Sequence, residues 1–129
     1  MAFPSLGGGY QNTDGNVSEL VIVIQSTPAA VSTAGTLTAA QLLAGIVTCS
    51  GTPGTQTLPT VALLEAALVN PKVDAGFEVS FVNTAGSTLT VATGTGWTIV
   101  GTATAATVTS ALFRARKTGD GAWTLYRVA

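Results

Sequence analysis

The stretch from Gly76 to Val100 constrains the fold of this chain more than any other part of the sequence. It reads GFEVSFVNTAGSTLTVATGTGWTIV, in which apolar and polar residues alternate and are interrupted at Asn83–Gly86 and at Gly94–Gly96. Alternation with a period of two places one set of side chains on each face of a sheet, and Gly, Asn and Ser favour tight turns between strands. We therefore predict a β-meander with almost no charge in it.

The segments before this stretch predict a strand, a helix and several shorter elements. We expect a first strand at Leu20–Gln25, which is apolar on both faces and should therefore be covered on both. The segment Leu58–Val69 has apolar residues at helical spacing and stops at Asn70-Pro71, so it predicts an α-helix. The other assignments are a connector at Ser26–Thr36, one helical turn at Ala39–Leu43 capped by Thr38, a short strand at Ile46–Cys49 and a turn region at Ser50–Gln56.

The C-terminal half predicts further strands, the last two joined by a hairpin loop at Lys117–Gly121. Many short strands with one short helix predict an all-β fold, an antiparallel β-sandwich or small barrel, formed by residues 19–129. Residues 1–18 are rich in Gly and Asn and predict a separate flexible docking arm. The strands of this half are expected near Phe77–Asn83, Thr88–Thr93, Thr98–Val100, Thr107–Arg116 and Trp123–Val128.

Composition favours self-association over binding to nucleic acid or membranes. Charged residues are 9% of the chain, against about 25% in ordinary globular domains. Hydrophobic residues make up 47%, yet no run of about 18 apolar residues could span a bilayer. The net charge of −1 gives no general field for nucleic acid or an anionic membrane. We therefore expect the excess apolar surface to contact other protein copies.

The chain lacks the residues that most enzymes use for catalysis. It contains no His, which excludes Ser/His/Asp and Cys/His arrangements. Asp74 and Glu78 could pair, as could Asp14 and Glu19, but nothing suggests two pairs converging on a cleft, so solvated carboxylates are expected. Cys49 is the one cysteine and lies in an apolar segment, where a small core residue is the better interpretation than a nucleophile. We expect neither an enzyme nor a bound cofactor or metal.

The aromatic residues leave two interpretations open. Trp97, Trp123 and Tyr126 could form a platform on which sugar rings stack. Both tryptophans also sit in predicted strands, Trp123 alternating with Leu125, and this placement favours core positions.

Two sets of residues are candidates for contact with a partner. Arg114 and Arg116 are two apart on a predicted strand, so they point the same way, with Phe113 and Ala115 on the other face. They could clamp a carboxylate of a partner, or simply form a solvated face together with Lys117 and Arg127. The second set consists of the apolar residues of the N-terminal arm, which could dock on a neighbouring surface or belong to a frayed terminus: Phe3, Leu6 and Tyr10.

Seven pieces of the sequence follow one another in an informative order, although each piece alone is common in β-proteins. They are Thr36–Leu43, Thr57–Thr60, Val82–Thr84, Gly94–Trp97, Gly101–Ala103, Phe113–Arg116 and Tyr126-Arg127. In this order, which covers roughly residues 36–128, the chain resembles small virion structural proteins of tailed bacteriophages. The resemblance implies a β-rich module, often trimeric, without catalytic residues, and leaves head and tail locations open.

These observations together predict a non-enzymatic capsid decoration or cement protein. It would be a homotrimer that docks on the major capsid protein and stabilises the head shell. The alternative is a tail-fibre or knob module that binds a host surface glycan through Trp97 or Trp123. The N-terminus MAFPSLGGGYQ shows no basic leader followed by an apolar core, so we expect synthesis in the host cytoplasm and residence on the virion.

Overall fold

The structure, a computed structural model, describes residues 24–129. Strands dominate this part of the chain and are accompanied by two short helices, which confirms the all-β fold class. The predicted docking arm, residues 1–18, lies outside the described residues. In chain order the elements are β1 (Ala29–Thr36), α1 (Ala39–Leu43), β2 (Ile46–Thr57), α2 (Val61–Leu68), β3 (Gly76–Asn83), β4 (Leu89–Ala92), β5 (Trp97–Val100), β6 (Thr104–Ala105), β7 (Thr109–Gly119) and β8 (Ala122–Arg127).

All eight strands belong to one mixed, curled sheet centred on β2. On one side β2 pairs in parallel with β1, while on the other its first half pairs in parallel with β3 and its second half with β4. The sheet continues from β3 through β7 to β8 by antiparallel pairing, and β5 pairs with β8 in parallel. Parallel pairing at four of these contacts replaces the antiparallel arrangement expected from the sequence.

The predicted meander from Gly76 onwards is wrong, because β3 and β4 are not neighbours. The buried side chain of Asn83 redirects the chain at the end of β3. Its Nδ2 donates to the carbonyl oxygens of Ser87, Ala105 and Ala106, at 2.8, 3.1 and 3.1 Å, and its Oδ1 accepts from the amide of Ala85. These bonds close the turn. The chain then crosses to the second half of β2, with which β4 pairs.

The predicted turn region Ser50–Gln56 is wrong, because β2 runs through it. Gly51 and Gly54 in this segment adopt positive φ. Val31 and Gly35 of β1 pair with Cys49 and Gln56 of β2, and β2 has three more residues than β1 between these two pairs. The bulges therefore lie in β2. The connector predicted at Ser26–Thr36 is also wrong from Ala29 onwards, since β1 pairs along this bulged strand.

The first strand, predicted at Leu20–Gln25, falls mostly outside the described residues. Its two described members, Ile24 and Gln25, are not in a strand, and Ile24 is 99% exposed instead of covered on both faces. The side-chain amide of Gln25 donates to the carbonyl of Ala44 at 2.6 Å. This bond holds the start of the described chain next to the turn that precedes β2.

Both helices are confirmed, with a shorter span for the second. In α1, Thr38 and Gln41 form the reciprocal hydrogen bonds of a capping box. Helix α2 begins at Val61, not Leu58, because the hydroxyl of Thr60 caps it by accepting from the amide of Leu63. Left-handed backbone at Val69 and Asn70, followed by Pro71, ends it as expected.

The core is formed by buried side chains of the sheet together with Leu42 of α1 and Val61 and Leu64 of α2. The expectation that Cys49, Trp97 and Trp123 are core residues is confirmed, since all three are buried. The predicted final hairpin is also present, with its turn narrowed to Asp120-Gly121. The largest fully buried side chains include Leu37, Leu42, Leu58, Leu64, Phe81, Leu89, Phe113, Trp123 and Leu125.

Candidate interaction surface

The basic residues of strand β7 lie on two different faces of the strand, one exposed and one buried. Arg114 and Arg116 are exposed on the outer face, as predicted, while Phe113 and Ala115 are buried. The prediction that Lys117 shares a solvated face with the arginines is wrong, because Lys117 is only 7% exposed. The alternation in the sequence indicates the burial of Lys117, because residues two apart on a strand point to the same face and Lys117 follows Phe113 and Ala115 at this spacing.

Lys117, whose side chain is buried, forms an ion pair with the partly exposed Glu65 of helix α2. Its Nζ lies 2.9 Å from Oε2 of Glu65 and donates to the carbonyl of Pro71 at 2.9 Å. The indole Nε1 of Trp123 donates to the same carboxylate oxygen at 3.0 Å. The hydrogen bonds from Lys117 and Trp123 hold the pKa of Glu65 below its ordinary value. We call this cluster of Glu65, Lys117 and Trp123 the seam, since it joins α2 to β7 and β8.

The two exposed arginines are each paired with a carboxylate of the same chain. Arg114 forms an ion pair with Glu78 on β3. The Nη1 of Arg116 donates to the hydroxyl of Tyr126 at 3.4 Å, and its Nη2 contacts Asp74 at 2.8 Å; these two interactions raise the pKa of Arg116. A carboxylate of a partner would have to compete with Glu78 and Asp74 for these guanidinium groups.

The candidate carboxylates lie where the sequence placed them. Asp74 is in the turn before β3 and Glu78 is on β3, each engaged with an arginine on the exposed surface. Asp14 and Glu19 lie outside the described residues. Among residues 24–129 there is no group of three or more His, Cys, Asp or Glu side chains that could hold a metal ion.

The thiol of Cys49 is unsuited to act as a nucleophile. Its side chain is fully buried, and burial raises its pKa to about 11. A thiol with such a pKa stays protonated near neutral pH, and the protonated form is not the nucleophile.

A surface pocket of about 410 Å³ lies beside the first turn of α2. Glu65 is the one titratable side chain that lines it, and its carboxylate is already bonded to Lys117 and Trp123. The pocket therefore offers no free acid or base to a bound molecule.

Neither tryptophan presents its ring to solvent. Trp97 is 7% exposed and Trp123 is 1% exposed. Their ring centroids lie 6.0 Å apart, and Phe77 packs on Trp123 at 5.8 Å. The indole of Trp97 donates to the carbonyl of Pro59 at 2.8 Å. Both rings are therefore occupied by core contacts, which leaves neither of them as a stacking platform.

The outer side of helix α2 is an apolar surface that the sequence analysis did not single out. Its exposed positions are all apolar, and Leu63 is 60% exposed. The sequence indicates this surface, because Glu65 is the one polar residue in the helix. Since Glu65 lies on the side of the seam, the opposite side of the helix has only apolar residues. We call this set the α2 outer face: Ala62, Leu63, Ala66 and Ala67.

The predicted arm contacts Phe3, Leu6 and Tyr10 lie outside the described residues, so the structure does not place them relative to Arg114 and Arg116. No helix among residues 24–129 is long and apolar enough to cross a membrane. No protein-family model, curated protein or solved structure matches this chain.

Proposed function

We propose that this chain is a non-enzymatic virion structural protein that decorates and stabilises a phage head shell. The observation that carries the assembly part of the proposal is the α2 outer face. A helix on the surface of a monomer normally exposes polar side chains, whereas this one exposes Leu63 and three alanines. Exposed apolar patches mark contacts with other proteins. The resemblance to virion proteins of tailed bacteriophages supplies the kind of assembly.

The proposed mechanism is mechanical. Burial of apolar surface contributes about 25 cal/mol per Å² before the cost of association is subtracted. Modest contacts suffice because many copies, each a homotrimer, would bind one shell and reinforce one another by avidity. The α2 outer face and the arm residues Phe3, Leu6 and Tyr10 would contact the major capsid protein. Arg114 and Arg116 would add polar specificity where a partner carboxylate displaces Asp74 or Glu78.

The alternative, a tail-fibre or knob module that binds a host glycan, is less well supported. It requires Trp97 or Trp123 to present a ring to the sugar, and both rings are buried within the subunit. Tyr126 is half-buried and its hydroxyl accepts a hydrogen bond from Arg116.

The proposal is tested by binding the purified chain to heads that lack it. Sedimentation of heads with increasing protein would give the number of copies bound and the affinity. Leu63→Glu places a charge on the α2 outer face and should weaken binding at least tenfold, the ratio that corresponds to about 1.4 kcal/mol. Thr88→Glu adds the same charge at an exposed site before β4 and should leave binding unchanged.

Deletion of residues 1–18 tests the arm in the same assay. We expect the remaining domain to stay folded and its binding to heads to weaken. Unchanged binding would contradict a docking role for Phe3, Leu6 and Tyr10. If the wild-type chain fails to sediment with heads at all, the head-shell proposal is wrong.

A further inference from the structure

Strand β1 forms a long edge of the sheet that has no strand partner among the described residues. It pairs with β2 from Ala29 to Thr36, and no described strand pairs with its other side. The bulges in this pair lie in β2, so β1 itself runs without an inserted residue. We call the side of β1 that faces away from β2 the free edge.

The free edge lacks the features that normally prevent further strand pairing. Proteins protect exposed edges with charged residues, proline, bulges or very short strands. Strand β1 has eight residues, AAVSTAGT, with no charge and no proline, and its side chains are exposed or half-buried throughout. Among residues 24–129, no strand occupies the backbone N–H and C=O groups on the outward side of β1, and no charged side chain of β1 opposes an additional strand there.

The same chain carries a segment well suited to occupy such an edge. Leu20–Ile24 reads LVIVI, five consecutive apolar residues, four of them β-branched. Ile24, the first described residue, is 99% exposed. An isolated apolar strand in water is unfavourable, so this segment gains by pairing with a sheet.

The residue that follows Ile24 is bonded on the β2 side of β1, not beside the free edge. Gln25 donates to the carbonyl of Ala44, which lies next to the start of β2, on the opposite side of β1 from the free edge. Only Gln25–Pro28 separates the segment from β1. To pair with its own β1, the segment would have to reverse direction within Gln25–Pro28 while Gln25 stays bonded to Ala44. The free edge of a second copy sets no such requirement.

We propose that Leu20–Ile24 of one copy adds as a strand to the free edge of β1 in a second copy. Each copy then has one donor segment and one acceptor edge, so the contact is head to tail and can close into a ring. This inference deepens the self-association in the proposed function by naming its contact. It does not require that the assembled protein binds a head shell.

The oligomeric state of the full chain in solution tests the donor segment. By light scattering after size-exclusion chromatography, we expect wild type to be an oligomer and Ile22→Pro to have the monomer mass of 12.8 kDa. Proline removes a backbone donor and breaks strand pairing. Asn16→Pro is the matched control outside the segment and should remain oligomeric. A monomeric wild type, or an oligomeric Ile22→Pro variant, would overturn the proposal.

Cross-linking between two differently tagged chains tests the acceptor edge. One chain carries Ile22→Cys and the other Ser32→Cys on β1, and a short bis-maleimide joins cysteines that lie close together. The native Cys49 is buried with a raised pKa and should not react. We expect a cross-linked pair of the two chains, and much less when Ser110→Cys on β7 replaces Ser32→Cys.

Two results would show that the segment does not bridge copies. The first is equal cross-linking to the Ser32→Cys and Ser110→Cys chains. The second is cross-linking only within a single chain that carries both Ile22→Cys and Ser32→Cys, which would place the segment on its own β1. A chain that forms the predicted oligomer but does not bind heads would contradict only the head-shell proposal.

Discussion

The two sides of helix α2 differ in whether their side chains find partners within the same chain. On the inner side, the Glu65 carboxylate accepts from Lys117 and from Trp123, and the helix packs on the core through Val61 and Leu64. On the outer side, Leu63 and its neighbouring alanines lie in solvent. The helix contributes to folding through one side and exposes a surface with no polar side chain on the other.

This difference teaches which substitutions should affect folding and which should affect assembly. Residues of the seam have their partners within the chain, so their loss should lower the free energy of unfolding. Residues of the α2 outer face and of the free edge of β1 contribute little to the fold of one subunit. Their substitution should change binding between molecules and leave unfolding nearly unchanged.

Trp123→Ala should have the largest effect on folding. The side chain is 1% exposed, and it packs against Phe77 and Trp97 besides bonding to Glu65. Removing a buried aromatic side chain costs about 3–5 kcal/mol, a large share of the roughly 5–15 kcal/mol by which folded proteins are usually stable. Urea unfolding followed by circular dichroism measures the loss. A free energy of unfolding within about 1 kcal/mol of wild type would show that the seam does not hold α2. The control is Trp123→Phe, which keeps an aromatic ring but removes the hydrogen bond to Glu65.

Lys117→Met should come next. It removes the Nζ donor to Glu65 and to the carbonyl of Pro71 and leaves a carboxylate without its cation. We expect a loss of about 2–3 kcal/mol, in the range for hydrogen bonds to charged groups whose partner is deleted. In the double variant with Glu65→Gln no charge remains, while the amide oxygen still accepts from Trp123. If Glu65→Gln changes the free energy of unfolding by the same amount in wild type and in Lys117→Met, the two side chains are not coupled.

Acid should weaken the seam in a predictable pH range. The pKa of Glu65 is lowered in the folded chain by hydrogen bonds from Lys117 and Trp123. A carboxyl group whose pKa is lower in the folded state stabilises the fold above its unfolded pKa, and this contribution is lost as the pH falls through the folded value. Stability should therefore fall below about pH 4.5, the ordinary glutamate value. Urea midpoints from pH 7 to pH 3 should fall more steeply for wild type than for Glu65→Gln; parallel curves would contradict this.

Arg116→Ala should have the smallest effect on folding. Its ion pair with Asp74 is largely exposed, and exposed pairs contribute about 0–1 kcal/mol. A partner carboxylate bound by this arginine would instead make the variant weaker in the head-binding assay. Tyr126→Phe is the control, because it removes the hydroxyl that accepts from Arg116 and keeps the guanidinium. A loss of stability comparable to that of Lys117→Met would show that the exposed face of β7 contributes as much to folding as its buried face.

The local features of the fold could be predicted from the sequence because they depend on near neighbours. The capping box of α1 needs only Thr38 and Gln41, and the alternation in β7 placed Phe113 and Ala115 in the core. The same alternation extends to Lys117, which the prediction places in the hairpin loop because the strand is expected to end at Arg116; β7 instead continues to Gly119. The carboxylate partner of Lys117 lies 52 positions away in sequence, on α2.

The pairing of the strands could not be predicted, because it depends on contacts between distant residues. Gly51, Pro53 and Gly54 indicate a turn when considered alone, yet the buried amide of Gln56 donates to the carbonyls of Thr33 and Pro53 and keeps β2 in the sheet. Asn83 likewise resembles a residue of a tight hairpin turn. Its bonds to Ala105 and Ala106 instead determine that β3 and β4 lie apart.

The proposed function requires that a virus encodes this chain, and its most direct test is the location of the chain in the purified particle. Emptied heads and detached tails are separated on a density gradient, and the copies of the chain in each fraction are counted by quantitative mass spectrometry. A decoration protein should be present in many copies on the heads and be absent from the tails. A few copies confined to the tails, or no copies in either fraction, would contradict the proposed function.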